Sequence, residues 1–208
     1  MNKSLAGLIR VTDKLYISIF SVFALLFIIQ GQGLVYSSVF ISSAAIHEAS
    51  HLFFLLRYGA EIQRITVFPF GIDIATETLH LSYKKEIICT LAGSFANIAS
   101  AFLGCILLKL FPSPVLLFFV LCNLFLGFMN LIPLSFFDGG KAIRLFIYDR
   151  LDIDKAFYVC KSIDVISAFI FLGFSLFVIS GSDFNLSVIC VMIYASISTL
   201  ALYKKQTI

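Results

Sequence analysis

The sequence predicts an all-α polytopic membrane protein, with about six transmembrane helices and a small β-hairpin between the second and the third. The first observation is composition: the 208 residues are 60% apolar and 13% charged, with a mean hydropathy of +1.02. Soluble domains are roughly 45–50% apolar and about 25% charged. The second is that the apolar residues form segments of about 17–25 residues, long enough to cross a bilayer as helices. The third is one β-branched, aromatic stretch among the loops.

Six apolar segments are separated by short polar stretches. They cover residues 15–31, 34–56, 86–110, 114–133, 162–180 and 184–203. The first follows Lys3, Arg10 and Lys14, as the apolar part of a signal peptide would, but no small-residue cleavage site follows it. We therefore expect a retained first span and an even number of crossings, which places both termini on one side of the membrane.

The basic residues indicate which side that is. Every Lys and Arg except Lys109 falls in a terminal segment or in one of the two longer loops, 57–85 and 138–161. Lys and Arg accumulate in cytoplasmic loops. The sequence therefore predicts cytoplasmic termini and makes the lipid bilayer the first partner. A net charge of +3 is too small to indicate a nucleic-acid partner.

The loop after the second span contains an alternating segment at 65–74. It is rich in β-branched and aromatic residues, with Pro69 and Gly71 near its middle, a pattern typical of two short strands around a turn. Such a hairpin either stabilises the fold or offers an unpaired edge to which an extended peptide can add as a strand. The local sequence favours neither.

The second span contains the motif His47-Glu48-Ala49-Ser50-His51. Histidines at i and i+4 lie on one helical face, one turn apart, where both can bind the same metal ion. Glu48 follows the first histidine, where it can take a proton from the water that a metal activates. His47 lies roughly 15 Å from the cytoplasmic end of the span at about 1.5 Å per residue. An ionisable group at that depth is costly unless it is paired or faces a watered cavity, so the motif predicts a zinc site.

Two imidazoles need a third ligand, and a carboxylate would leave one position open for water. Three candidates belong to the predicted cytoplasmic loop and are expected outside the bilayer: Glu61, Glu77 and His80. Asp138 is the better candidate, because Pro133 and the glycines at 139–140 interrupt an apolar segment there. Non-helical backbone at membrane depth is tolerated only where it is buried or lines a cavity. A helix cap is the alternative explanation for Asp138.

The 47–51 motif, followed by Asn130, Pro133 and the pair Asp138-Gly139, resembles the site-2 protease family of intramembrane zinc metalloproteases. The resemblance covers residues 34–145, about the catalytic core of that family. It implies that His47, His51 and Asp138 bind one zinc ion and that Glu48 is the general base.

The same resemblance implies two substrate-positioning residues. Asn130 would lie beside the site, where its amide could orient the substrate backbone. The small-residue segment 92–97 is similar to a further pattern of the family and makes Asn97 a neighbour of the site. Close helix packing explains the small residues of this segment equally well.

The activity that the resemblance implies is hydrolysis of peptide bonds in membrane-embedded or membrane-associated proteins. The compact layout is similar to the bacterial sporulation-type members, which process a pro-sigma factor, and this implies a multi-pass protein of the bacterial cell membrane. Residues 1–208 are expected to form a single metalloprotease domain without PDZ or CBS domains, and an inhibitory or regulatory membrane partner fits this class. A transmembrane substrate must unwind before attack, and the 65–74 hairpin could hold the unwound segment.

Two other classes fit the same residues. One is a zinc peptidase that takes a downstream Glu as its third ligand, in which Asp138→Asn would keep zinc. The other is a non-proteolytic metal-binding membrane carrier or scaffold, in which Glu48→Gln would preserve function because Glu48 is not a ligand.

Overall fold

The computed structural model describes residues 8–68, 71–77 and 81–181. Its elements in chain order are β1 (Leu8–Arg10), β2 (Leu15–Ser18), α1 (Ile19–Arg57), β3 (Glu61–Phe68), β4 (Gly71–Glu77), α2 (Tyr83–Leu110), α3 (Pro114–Asn130), α4 (Asp138–Tyr148) and α5 (Ile153–Gly181). They divide into two compact units, Met1–Phe128 and Met129–Ile208. The protein is thus mostly helical with one small sheet.

Three helices in the described part of the chain are long and apolar enough to cross a membrane. They are Gly33–Arg57, Tyr83–Leu110 and Ile153–Gly173, and they coincide with the second, third and fifth predicted spans. The helix α3 is apolar but has only 17 residues. The sixth predicted span, 184–203, lies outside the described residues, so the count of six remains a prediction. Three such helices fit an integral membrane protein.

The first predicted span is wrong at its start. Residues 15–18 form the strand β2, and α1 begins only at Ile19. Leu15, Tyr16 and Ile17 pair in parallel with Ile65, Thr66 and Val67 of β3. The apolar run predicted a helix because hydropathy alone does not reveal a partner strand fifty residues away.

The helix α1 contains one break. Gly33 has φ 76° and ψ 164°, a conformation that glycine adopts at little cost because it has no Cβ. The residues that follow the break form the span that carries the histidine motif. Gly33 therefore separates the segment adjoining the sheet from the segment that holds the predicted site.

The sheet is mixed, with the strand order β1-β2-β3-β4. The strands β1 and β2 are antiparallel, β2 and β3 are parallel with α1 as the crossover, and β3 and β4 are antiparallel. The predicted pair of strands is therefore present as β3 and β4, longer than the 65–74 segment and with two further strands beside it. In the described sheet, β1 and β4 are the edge strands.

Small residues allow the helices of the first unit to approach closely. The buried face of α2 includes Ala92, Gly93, Ser94, Asn97, Ala101 and Gly104. A Cβ at Gly104 would lie 2.6 Å from Val120 Cγ2 of α3, and one at Gly127 of α3 would lie 2.8 Å from Ile98 Cγ1. Close packing on small residues is the usual way in which membrane helices associate, and Gly104 and Gly127 allow it between α2 and α3.

In the second unit, an irregular segment at 131–137 precedes α4. Leu134 and Phe137 of this segment pack against Phe171 of α5. Gly139 and Gly140 lie so close to the backbone of Leu131 and Leu134 that neither could carry a Cβ without displacing it. The glycines therefore allow α4 to start tightly against the segment that leads into it, and Asp138 is the first residue of α4.

Candidate metal centre

His47 and His51 lie together on α1, as their spacing predicts. Their Nε2 atoms are 3.1 Å apart, and the ring centroids are 4.7 Å apart with the planes nearly perpendicular. His47 is only 7% exposed, and His51 is half-buried. The two nitrogens that a metal would use therefore meet at one point on the inner side of the helix.

The tautomer of His51 follows from its partner on α2. His51 Nδ1 lies 2.7 Å from the backbone carbonyl oxygen of Cys89. A carbonyl can only accept, so Nδ1 carries the proton and donates it. In its neutral form the His51 ring therefore has its lone pair on Nε2, the form in which histidine binds a metal.

The tautomer of His47 is fixed in the same way by a side chain. His47 Nδ1 lies 2.7 Å from Asn97 Oδ1, while Asn97 Nδ2 donates to the carbonyl oxygen of Ser43 over 3.0 Å. Because that carbonyl can only accept, the amide of Asn97 has to present its nitrogen to Ser43 and its oxygen to His47. His47 Nδ1 is therefore the donor, and its lone pair also lies on Nε2.

These assignments show how well the pair suits a cation. With both Nδ1 atoms donating, two rings in their neutral form would both present a lone pair on Nε2 across 3.1 Å, and a cation between them would accept both. Two nitrogens at tetrahedral positions around zinc, each about 2.0–2.1 Å from the metal, would be separated by about 3.3 Å. The ring nitrogens already have nearly that spacing, so the pair fits zinc.

The glycine at position 93 makes room for the two rings. A Cβ built on Gly93 would lie 2.5 Å from His51 Nε2 and 2.8 Å from Nδ1 and Cε1 of His47. The face of α2 opposite the histidines can therefore carry no side chain at this position.

Glu48 follows His47 on α1 and is half-buried. Successive residues of a helix are about 100° apart around its axis, so Glu48 is offset from the face that holds the two histidines. Glu48 therefore neighbours His47 in sequence while pointing away from the line that joins the two histidines.

Asp138 is buried at the start of α4 in the second unit, with 6% of its surface exposed. Lys141 Nζ, one turn further on, lies 3.1 Å from Asp138 Oδ1. A carboxylate in the first turn of a helix is favoured by the helix dipole. Asn130, the other motif residue of this unit, is the last residue of α3 and is half-buried.

The segment before Asp138 is held in place by the buried carboxylate of Asp164. Asp164 accepts hydrogen bonds from the backbone N–H and the hydroxyl of Ser135, over 2.7 and 2.6 Å. Arg144 Nη1 lies 3.9 Å from the same carboxylate, which is 3% exposed. Asp164 lies within α5, which begins eleven residues earlier at Ile153.

Of the other candidates for a third ligand, two lie in the sheet. Glu61 and Glu77 are paired opposite each other at the ends of β3 and β4. His80 lies outside the described residues. No local pattern in the sequence indicates the Cys89 carbonyl that accepts from His51. Asn123, which accepts from Asn97, could have been found, because an asparagine in an apolar span is a recognisable signal.

Known proteins that are similar to this chain include a zinc metalloprotease. The model of peptidase family M50 matches residues 108–173, a range that includes Asn130 and Asp138. The chain is thus similar to peptidase family M50 over this range. It is 27% identical over 140 residues to a zinc metalloprotease of Methanocaldococcus jannaschii. That alignment covers 64% of this chain and 40% of the relative, so the chain spans less than half the length of the curated relative.

The fold agrees as well. A solved structure of the site-2 protease from Methanocaldococcus jannaschii matches with a TM-score of 0.68 and 22% sequence identity. The match covers 93% of this chain and 92% of that one. The two proteins therefore share a fold along nearly their whole lengths.

Proposed function

We propose that this protein is an intramembrane zinc metalloprotease that hydrolyses peptide bonds of membrane-embedded or membrane-associated proteins. The observation that carries the proposal is the histidine pair, whose Nε2 atoms are 3.1 Å apart and whose Nδ1 atoms both donate to protein acceptors. A carrier would need to release its metal, whereas outer hydrogen bonds of this kind fix ligands for tight, lasting binding. The family M50 domain and the zinc metalloprotease relative support the same activity.

We propose His47, His51 and Asp138 as the ligands of one zinc ion. Two imidazoles and one carboxylate are the ligand set of several catalytic zinc sites, in which the fourth position stays open. Asp138 is a buried carboxylate within the range that the family model matches. We further propose that the whole chain is one metalloprotease domain.

Zinc, when bound, supplies a Lewis acid that polarises a carbonyl and makes water acidic enough to be deprotonated near neutral pH. Glu48 would accept the proton of the attacking water and later deliver it to the leaving amine. Asn130 would orient the substrate backbone. For Asn97 the structure favours a different role, because its side chain is fully buried and its amide contacts His47 and Ser43. We assign Asn97 to the support of His47.

A transmembrane substrate has its carbonyls in helical hydrogen bonds and must unwind locally before hydrolysis. We propose that the unwound segment adds to the sheet at the edge strand β4, where main-chain groups can pair with an extended peptide. We also propose cytoplasmic termini, from the distribution of Lys and Arg, and a place in the bacterial cell membrane. A pro-sigma factor of sporulation is the proposed substrate type.

The test is co-expression with candidate single-span substrates, comparing wild type with Glu48→Gln. Cleavage is expected to disappear in the variant while zinc content stays at one ion per chain, because Glu48 is the base and not a ligand. Glu86→Gln, the same change at another half-buried glutamate on α2, is the matched control and should cleave normally. Retention of cleavage by Glu48→Gln would refute the role of Glu48 as the base, and a wild type that binds zinc but cleaves no substrate would favour the carrier or scaffold.

A further inference from the structure

Three polar side chains meet between the apolar helices of the first unit. They are Ser43 of α1, Asn97 of α2 and Asn123 of α3, and each is 0% exposed. We propose that Asn123 is a positioning residue for the metal centre, which acts through Asn97 to hold His47 in its metal-binding tautomer. The inference rests on the zinc site proposed above.

The hydrogen bonds form a continuous series. Asn123 Nδ2 donates to Phe119 O and to Ser43 Oγ, each over 2.9 Å. Asn123 Oδ1 accepts from Asn97 Nδ2 over 2.7 Å, and Asn97 Oδ1 accepts from His47 Nδ1 over 2.7 Å. Asn123 on α3 is therefore linked to the His47 ring on α1 through Asn97, without contacting His47 itself.

The direction of every bond in the series follows from two backbone carbonyls. Phe119 O can only accept, so the nitrogen of the Asn123 amide has to face it and the oxygen faces Asn97. The nitrogen of Asn97 is consequently held between two acceptors, Asn123 Oδ1 and Ser43 O. Its oxygen is left for His47. The arrangement satisfies both amides in one orientation.

The opposite orientation of Asn97 would change the chemistry of His47. It would place an NH₂ group against His47 Nδ1, which would then have to accept and would shift the ring proton to Nε2. A protonated Nε2 has no lone pair for a metal. Asn123 therefore opposes the wrong tautomer, because a reversed Asn97 would present its oxygen to two other acceptors.

The close packing of α3 against α2 allows the contact between Asn123 and Asn97. Asn123 and Gly127 are one turn apart and share a helical face, and the absent Cβ of Gly127 would lie 3.1 Å from the Ser94 carbonyl and 3.5 Å from Asn97 Cβ. The close approach brings Asn123 within reach of Asn97. Two buried amides in apolar spans are costly unless they are fully hydrogen-bonded, and a mere packing role would be met by apolar residues.

The experiment measures Co²⁺ binding to the full-length protein in detergent, by d–d absorption and by competition with a chelator. Asn123→Leu removes the amide at similar volume, and Asn123→Ala provides a second variant. Both are expected to weaken Co²⁺ binding by about tenfold or more, as for other changes to groups that orient metal ligands. Val120→Ala is the matched control, because Val120 is also buried on α3 and packs on Gly104, with no amide to lose. It is expected to lower thermal stability and leave Co²⁺ affinity unchanged.

A second readout reports the tautomer directly. In chelator-treated protein with ¹⁵N-labelled histidine, NMR of wild type should show His47 protonated on Nδ1, and Asn123→Leu should raise the Nε2–H form. Equal Co²⁺ affinity and equal tautomer populations in wild type and both variants would overturn the inference alone. Wild-type protein that binds no Co²⁺ would instead overturn the proposed zinc site.

Discussion

The sharpest prediction concerns Gly93, which has no chemistry of its own. Gly93→Ala would place a methyl group 2.5 Å from His51 Nε2 and 2.8 Å from two atoms of the His47 ring. Ordinary contacts begin near 3.4 Å, so His51 Nε2 would have to move by about 0.9 Å, the difference between these two distances. The rings cannot easily turn away, because both Nδ1 atoms are held by hydrogen bonds of 2.7 Å.

A shift of this size matters because metal–ligand distances tolerate deviations of only about 0.2 Å. We expect Gly93→Ala to lower zinc affinity by at least the 10–100-fold typical of changes around metal ligands, and to abolish proteolysis at limiting zinc. The assay is zinc content by mass spectrometry after dialysis against a chelator, together with substrate cleavage and the thermal unfolding temperature.

The matched control is Gly173→Ala on α5, where a Cβ would meet nothing within 4 Å. It should retain zinc and raise stability slightly, because alanine is favoured over glycine in a helix by about 1 kcal/mol. Normal zinc content and normal cleavage in Gly93→Ala would refute the reasoning and show that the histidines do not form the metal site with the geometry described.

Three further predictions follow. Asp164→Ala should destabilise the protein by about 3 kcal/mol through loss of two hydrogen bonds to a charged group, whereas Asp152→Ala, at an exposed ion pair, should have little effect in thermal unfolding. Asp138→Asn should lower zinc content and cleavage together, and unchanged zinc would favour a different third ligand. Proline substitutions along β4 should reduce cleavage at positions whose N–H points away from β3, with the melting temperature preserved; unaltered cleavage at all of them would exclude strand addition at this edge.

The sequence predicted the parts of this structure that depend on neighbouring residues. The spacing of His47 and His51 places both on one face of a helix, independently of the rest of the fold. The distance of 3.1 Å between their Nε2 atoms confirms it. The helices at 34–56 and 86–110 follow from apolar length alone. The alternating segment likewise indicated two strands, now β3 and β4.

The parts it missed depend on contacts between distant segments. The largely apolar stretch Leu15–Ser18 is compatible with a helix or a strand. Its pairing with β3 is what makes it a strand. The predicted fifth span begins at residue 162, whereas α5 begins at Ile153, because the first turns of α5 are polar and carry Asp154 and Lys155. The contact of Asn97 with His47 joins residues fifty positions apart, which no local pattern encodes.

The histidine site and the small residues of the helices depend on each other. Gly93 leaves the space that the two rings occupy, and Gly127 lets α3 approach closely enough for Asn123 to reach Asn97. Burying an amide in a membrane span costs free energy unless its donors and acceptors are hydrogen-bonded. Those hydrogen bonds form only when the helices are packed at the right separation. Helix packing therefore determines the tautomers, and the tautomers determine whether the Nε2 pair can hold a metal. A substitution that widens the packing of α1, α2 and α3 should accordingly act on the metal site before it acts on the fold.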